Sequence, residues 1–160
     1  MFGFLRKKAS APIIRLIDTA YAAQCAELHA VSFAHPWSAE DFEQLLTDVH
    51  VIAHGALDAD GKRLCGFILS RLVLDEAEVL TIAVATSLRR KGLGRSLLAA
   101  NIGQLAGRGA KALFLEVDQD NLAARTLYKS FGFSDVGERK GYYAKADGTR
   151  GTALIMRRDL

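Results

Sequence analysis

One segment constrains this chain more than any other: Arg89-Arg90-Lys91-Gly92-Leu93-Gly94-Arg95-Ser96. An apolar run, Val79-Leu80-Thr81-Ile82-Ala83-Val84, precedes it, and Leu93, Leu97, Leu98 and Ile102 follow at helical spacing. The pattern predicts a strand, a short basic glycine turn and a helix. A helix N-terminus leaves backbone N–H groups unpaired and carries partial positive charge, so it can hold an anion. Glycines let the backbone approach a phosphate, and flanking cations add charge. The segment therefore reads either as a cradle for a phosphate-bearing ligand or as a basic surface turn whose glycines only satisfy backbone geometry. It is not a Walker A loop, since no Gly-x-x-x-x-Gly-Lys-[Ser/Thr] occurs. Nor is it a good dinucleotide fingerprint, because Leu97 stands where the third glycine belongs.

The rest of the chain supplies elements for a mixed sheet. Ile13–Ile17 is a short strand, followed by a helix from an Asp18 or Thr19 cap to about Ser32. Pro36 breaks the chain, and Ser38 with acidic residues after it opens a second helix through Leu46. Strands are expected at Val49–Leu57, Leu64–Leu74 and Glu76–Val84, with an Asp60-Gly61 turn between the first two. After the glycine turn and its helix, to about Ala106, Lys111–Val117 reads as a buried strand. Leu122–Phe131 is a helix that Gly132 ends, and Phe133–Arg139 and Thr152–Arg157 close the chain as a strand pair joined by the Gly141–Gly151 segment. Strands first, then helix, strand, helix, strands is an α+β order.

At 160 residues the chain is one domain of ordinary size. Residues 1–12 read as a basic tail, expected to be disordered, and 13–160 as the folded unit. No apolar run approaches the ~20 residues of a membrane span, and the N-terminus lacks the apolar core of a signal peptide. Cys25 and Cys65 are too few for a disulfide framework, which suits a reducing cytoplasm. A net charge of +3 does not by itself argue for nucleic acid. His29, His35, His50 and His54 form no metal-site pattern, so no metal is expected.

The glycine turn resembles the Arg/Gln-x-x-Gly-x-Gly/Ala signature of the GNAT (GCN5-related N-acetyltransferase) family. Three further segments agree, in order: Leu113–Val117, Asn121–Tyr128 with Lys129-Ser130-Phe131-Gly132-Phe133, and Arg139-Lys140-Gly141-Tyr142-Tyr143. Within the family, the similarity is greatest to the enzymes that acetylate the N-terminal alanine of a small-subunit ribosomal protein. It rests there on Phe33-Ala34-His35-Pro36-Trp37-Ser38, on Leu74-Asp75-Glu76-Ala77 with Ile82-Ala83-Val84, and on Tyr142-Tyr143. The resemblance covers about residues 13–160. It implies a three-layer α/β/α fold with a mostly antiparallel sheet of six to seven strands, helices on both faces and a splayed central parallel pair. It implies acetyl-CoA as acetyl donor. Arg89, Arg90, Lys91, Gly92, Leu93, Gly94, Arg95 and Ser96 would hold its pyrophosphate; Ile82, Ala83, Val84 and Asn121 would hold its pantetheine arm and thioester.

Amide formation from a thioester needs the amine deprotonated, the carbonyl oxygen stabilised and the departing thiolate protonated. Glu116 ends a strongly apolar strand, where a carboxylate is costly unless paired or functional. It reads as a solvated or ion-paired strand-end residue, or as a general base, and the resemblance favours the base. Tyr128, beside the inward stripe of Ala124, Leu127 and Phe131, reads as a core tyrosine; the resemblance makes it the acid that protonates the thiolate. Asn121 reads as a helix cap and, by resemblance, as a coenzyme contact as well.

Acceptor contacts are expected from Trp37, Glu78, Tyr142 and Tyr143, with Glu78 as reserve base. Acidic residues on the second helix and fourth strand, if they share a groove, would favour a cationic peptide. The implied acceptor is the N-terminal peptide of a ribosomal protein. No direct nucleic-acid or membrane contact is expected, and the chain should be a monomer or weak dimer. Departures from the family pattern are Asp118, where a basic residue often follows Glu-Val, His35 before Pro36-Trp37-Ser38, and the basic extension to Pro12. Lysine or small-amine acetylation, and non-catalytic acyl-CoA binding, remain open on the residues alone.

Overall fold

Seven strands form one sheet in the order β1-β2-β3-β4-β5-β7-β6. They are β1 (Ile13–Leu16), β2 (Val51–Leu57), β3 (Leu64–Val73), β4 (Glu76–Val84), β5 (Ala112–Asp118), β6 (Ser134–Ala144) and β7 (Arg150–Asp159). The helices are α1 (Ala22–Ser32), α2 (Ala39–Thr47), α3 (Leu93–Gly107) and α4 (Leu122–Ser130). This computed structural model describes residues 10–145 and 147–160, with the side chain of Tyr143 also outside the description. Most of the basic tail, residues 1–9, lies outside the described residues.

Every strand pair is antiparallel except β4–β5, and that pair is short. Glu76, Ala77 and Glu78 face Ala112, Leu113 and Phe114, and there the pairing stops. Beyond it β4 pairs only with β3 and β5 only with β7. The two strands therefore diverge toward their C-terminal ends, leaving the β4 backbone from Val79 to Val84 without a strand partner on that side. A bulge between Leu69 and Ser70 of β3, opposite an extra residue in β4, increases the local twist.

The two faces carry separate cores. On one, Leu97, Leu98, Ile102 and Leu105 of α3 and Tyr128 of α4 pack with Ile68, Leu113, Leu115, Val117 and Met156. On the other, Cys25 of α1 and Phe42 of α2 pack on Ala53, Phe67, Leu69 and Ala83. Because successive strand residues alternate faces, Leu113, Leu115 and Val117 point to α3 and α4, whereas Phe114 and Glu116 point to the opposite side.

Element order follows the sequence reading, with three differences. Asp18 caps a short 3-10 turn, Thr19–Tyr21, which leads into α1. A second 3-10 turn, Thr86–Leu88, lies between β4 and the glycine turn. The third concerns the segment expected to join the last strands: β6 continues to Ala144, because Gly141 at φ +65 and a register shift between Arg139 and Tyr143 return the chain to its partner β7.

Candidate active site

The glycine turn sits at the mouth of the divergent strands. Arg90 (φ +62) and Gly92 (φ +81) both take the left-handed conformation, and Gly92 is the N-cap of α3 with no side-chain cap. The first-turn amides thus remain available to an anion, as the basic composition suggests. A Cβ on Gly94 would meet only Leu127 Cδ2, at an ordinary 3.7 Å, and one on Gly92 would meet nothing. Packing therefore does not require glycine at 94; a bare backbone there suits close approach of a phosphate. Ser96 Oγ donates to the Gly92 carbonyl at 3.1 Å, bracing the turn.

The cations divide into two sets. Arg89 Nε donates to the Val84 carbonyl at 3.2 Å and its Nη2 to Ser32 Oγ at 3.1 Å, tying the turn to the end of α1. Arg95 Nη2 donates to Ser130 Oγ at 2.8 Å, with its guanidinium 5.1 Å from the Phe131 ring centre. Arg90 and Lys91 are exposed. Arg89 and Arg95 are thus held by protein groups on either side of the turn, and Arg90 and Lys91 present their charge to solvent.

Glu116 lies two residues past the last β4–β5 pair, on the face away from α3 and α4. Its side chain is 30 % exposed, and its carboxylate is 3.3 Å from the Arg139 guanidinium of β6. Arg139 in turn stands 5.2 Å over the ring of Tyr142. Tyr128 approaches from the opposite face: it is buried in the α3–α4 core, its ring edge-on to Phe133 at 5.8 Å. A group threaded between the diverging strands would have Glu116 on one side and the Tyr128 helix on the other. Asn121 caps α4, accepting from Ala124 N at 3.1 Å through Oδ1, which leaves its Nδ2 donors for a second partner.

The acceptor-side residues come from separate elements. Trp37 is half-buried in the α1–α2 connection, where it stacks on His29 with 4.8 Å between ring centres, and its backbone N–H donates to His29 Nδ1 at 3.0 Å. That bond makes Nδ1 an acceptor, and burial holds the imidazole below its ordinary pKa. Glu78 is exposed on the same sheet face as Glu116 and has no ion-pair partner among the described residues. Tyr142 is half-exposed on β6. Tyr143 joins β6 by its backbone, opposite Gly151, while its side chain lies outside the described residues.

Sequence reasoning missed Arg139 as the partner of Glu116, and His29 as the support of Trp37. The first depends on the β5–β7–β6 register, which no local spacing reveals. The second was visible only as a buried position on a helix. Neither cysteine is a poised nucleophile: burial pushes the Cys25 thiol up to about 12 and raises that of Cys65. Among the described residues, no group of three or more His, Cys, Asp or Glu could hold a metal ion, and no helix is long and apolar enough to cross a membrane.

This geometry has close counterparts. The Acetyltransferase (GNAT) family profile matches residues 22–133. The ribosomal protein bS18-alanine N-acetyltransferase of Escherichia coli K12, an enzyme of the RimI type, is 40 % identical over 123 residues, 77 % of this chain and 80 % of that protein. The crystal structure of the Escherichia coli ribosomal-protein-S18-alanine N-acetyltransferase superposes with a TM-score of 0.85 at 33 % identity, covering 92 % of each chain. Arabidopsis thaliana NAA60 in complex with acetyl-CoA shares the fold at a TM-score of 0.82 and 18 % identity, covering 92 % of this chain and 98 % of that one. With a diverging β4–β5 pair, a glycine turn opening α3 and these matches over most of its length, the chain belongs to the GNAT family of acetyltransferases, whose acetyl donor is acetyl-CoA.

Proposed function

We propose that this protein acetylates the α-amine of an N-terminal alanine on a ribosomal protein of the bS18 type. The observation that carries the reading is the pairing of its relatives' specificity, at 36–40 % identity over most of the chain, with an ionisable Glu116 at the divergence of β4 and β5. An α-amine has a pKa of about 8, so a minority is already neutral at pH 7 and a carboxylate suffices as base. A lysine side chain, at about 10.4, asks more of the same group.

Acetyl-CoA supplies the activated thioester. The α3 turn would hold its phosphates with the amides of Leu93, Gly94 and Arg95 and with Arg90 and Lys91. The unpaired β4 backbone at Ile82, Ala83 and Val84 would align the pantetheine arm and stabilise charge on the carbonyl oxygen. Glu116 would take a proton from the incoming amine, directly or through water. The Tyr128 phenol would give its proton to the departing sulfur. Trp37, Glu78, Tyr142 and Tyr143 would line the acceptor's approach. Transfer is direct in this reading, and the buried, protonated state of both thiols supports it. The protein would work in the cytoplasm as a monomer or weak dimer, without touching RNA or membrane.

The test is release of coenzyme A from acetyl-CoA with a basic peptide beginning in Ala, beside the same peptide blocked at its N-terminus with its lysines free. Turnover only with the free α-amine supports the reading. Equal turnover with both moves the assignment to lysine acetylation, and none with either overturns it.

A further inference from the structure

The tip of the β6–β7 hairpin reaches across to the turn between β5 and α4, and one lysine makes the connection. Lys145 closes the tip by its backbone: its N–H donates to Thr149 O at 2.8 Å and its carbonyl accepts from Gly148 N at 3.0 Å. Its ammonium leaves the hairpin and donates to the Asp120 carboxylate. The carboxylates of Asp118 and Asp147 add attraction, and together with the Asp120 hydrogen bond they hold the lysine above its ordinary pKa. To get there the side chain crosses β7 at Gly151, where a Cβ would stand 2.6 Å from Lys145 Cε and 3.7 Å from Asp118 Oδ2. Glycine at 151 leaves room for the end of the lysine, which a methyl group there would push aside.

The receiving turn is closed by hydrogen bonds of its own. Asp118 Oδ1 accepts from Asp120 N at 2.9 Å, Asn121 N donates to Asp118 O at 2.9 Å, and Gln119 N donates to Thr152 O at 3.0 Å. Asp118 is the position where this chain carries an acid in place of the family's frequent base; the cation comes instead from the hairpin. The hairpin also carries Tyr142 and Tyr143, three and two residues before Lys145, and the turn leads into the helix that carries Tyr128.

We infer that Lys145 is a positioning residue for the acceptor: by fastening the β6–β7 tip to the β5–α4 turn through Asp120, it fixes where Tyr142 and Tyr143 stand relative to Glu116. The inference rests on the acceptor reading above. An exposed ion pair alone is weak, but here the pair with Asp120 is joined by the backbone closure of the hairpin tip at Thr149 and Gly148.

The experiment is steady-state kinetics with the Ala-starting basic peptide on wild type, Lys145→Met, Lys145→Arg, Gly151→Ala and the double variant Lys145→Met/Asp120→Asn. In Lys145→Met and Gly151→Ala the KM for peptide rises about three- to tenfold, the effect of roughly 0.7–1.4 kcal/mol. The kcat at saturating peptide, and the Kd for acetyl-CoA by calorimetry, stay within about twofold of wild type, as expected when only acceptor binding is lost. Lys145→Arg keeps the wild-type KM, and adding Asp120→Asn to Lys145→Met raises it no further, as coupled partners require. An unchanged KM in Lys145→Met, or a fall in kcat without a change in KM, overturns the positioning role while leaving the acceptor reading intact. A wild-type protein that releases no coenzyme A with the peptide overturns the acceptor reading, and the role of Lys145 with it.

Discussion

The carboxylate of Glu116 and the guanidinium of Arg139 meet at 3.3 Å across the β5–β7–β6 part of the sheet. The contact joins the strand that diverges from β4 to the strand that bears Tyr142. Both side chains keep solvent access, Glu116 at 30 % and Arg139 at 53 %, so the carboxylate can exchange one cation for another as an ammonium arrives.

Replacing Glu116 with Gln keeps shape and removes basicity. The kcat is expected to fall about 10²- to 10⁴-fold, the usual contribution of a positioned base, with the Kd for acetyl-CoA unchanged by calorimetry. Retention of full turnover would shift the base role to Glu78.

Tyr128→Phe separates chemistry from packing. The ring stays edge-on to Phe133, so its packing is kept, while the kcat drops by about 10²-fold if the phenol protonates the leaving sulfur. A large loss of stability with unchanged kcat would make Tyr128 a core residue only.

Gly94→Ala should divide stability from coenzyme binding. A methyl at 94 meets only Leu127 at 3.7 Å, so helix propensity should raise stability by about 0.5 kcal/mol or more. The same methyl would stand on the backbone proposed to receive phosphate, and the Kd for acetyl-CoA should weaken roughly tenfold or more, about 1.4 kcal/mol. Unchanged affinity would remove the first turn of α3 from the coenzyme site.

Acid should loosen the α1–α2 connection. His29 and His54 are both held below the ordinary imidazole pKa by burial, His54 also by Arg108. Folding therefore favours their neutral forms, and the stability they contribute is complete above about pH 6.5 and is lost as pH falls from there toward their folded values. Protonating His29 also removes the acceptor of the Trp37 N–H. Melting temperatures measured from pH 7.5 to 5 should decline in wild type and decline less in His29→Asn, whose amide oxygen can still accept that bond. Parallel curves for the two proteins would dismiss His29 as a source of the pH dependence.

Local chemistry was legible in the residues themselves. Ser38 and Asp41 form the reciprocal cap that opens α2, at 3.1 and 2.9 Å, and their spacing announced it. The apolar run, glycine turn and helical stripe from Val79 to Ile102 became β4 and α3, and the family resemblance anticipated the divergence from β5. What stayed hidden was long-range pairing. Arg89 reaches Ser32 across 57 residues, and Arg139 finds Glu116 only through two registers of the sheet. The His54–Asn101 contact, 3.1 Å, with Ser70 bonded to the same asparagine, brings three elements together in the core. Polar residues scattered through a sequence give no sign of meeting there. The extension of β6 through Gly141 was hidden for a different reason: a glycine that ends one strand and a glycine that bends one look alike until the partner strand is known.

The three residue pairs between β4 and β5 make a narrow seam between two halves of the sheet, β1 to β4 and β5 with β7 and β6. Few backbone bonds cross it, so the joint depends on α3, whose Leu97, Leu98, Ile102 and Leu105 lie in a core shared with Ile68 on one half and with Leu113, Leu115 and Met156 on the other. The helix that rivets the halves together also begins at the glycine turn proposed to hold the coenzyme's phosphates. A ligand wedged into the seam and gripped at that turn therefore touches both plates and their rivet at once. Acetyl-CoA at a hundred times its Kd would add about 2.7 kcal/mol to the folded state, placed along the line where the sheet itself has least to hold it.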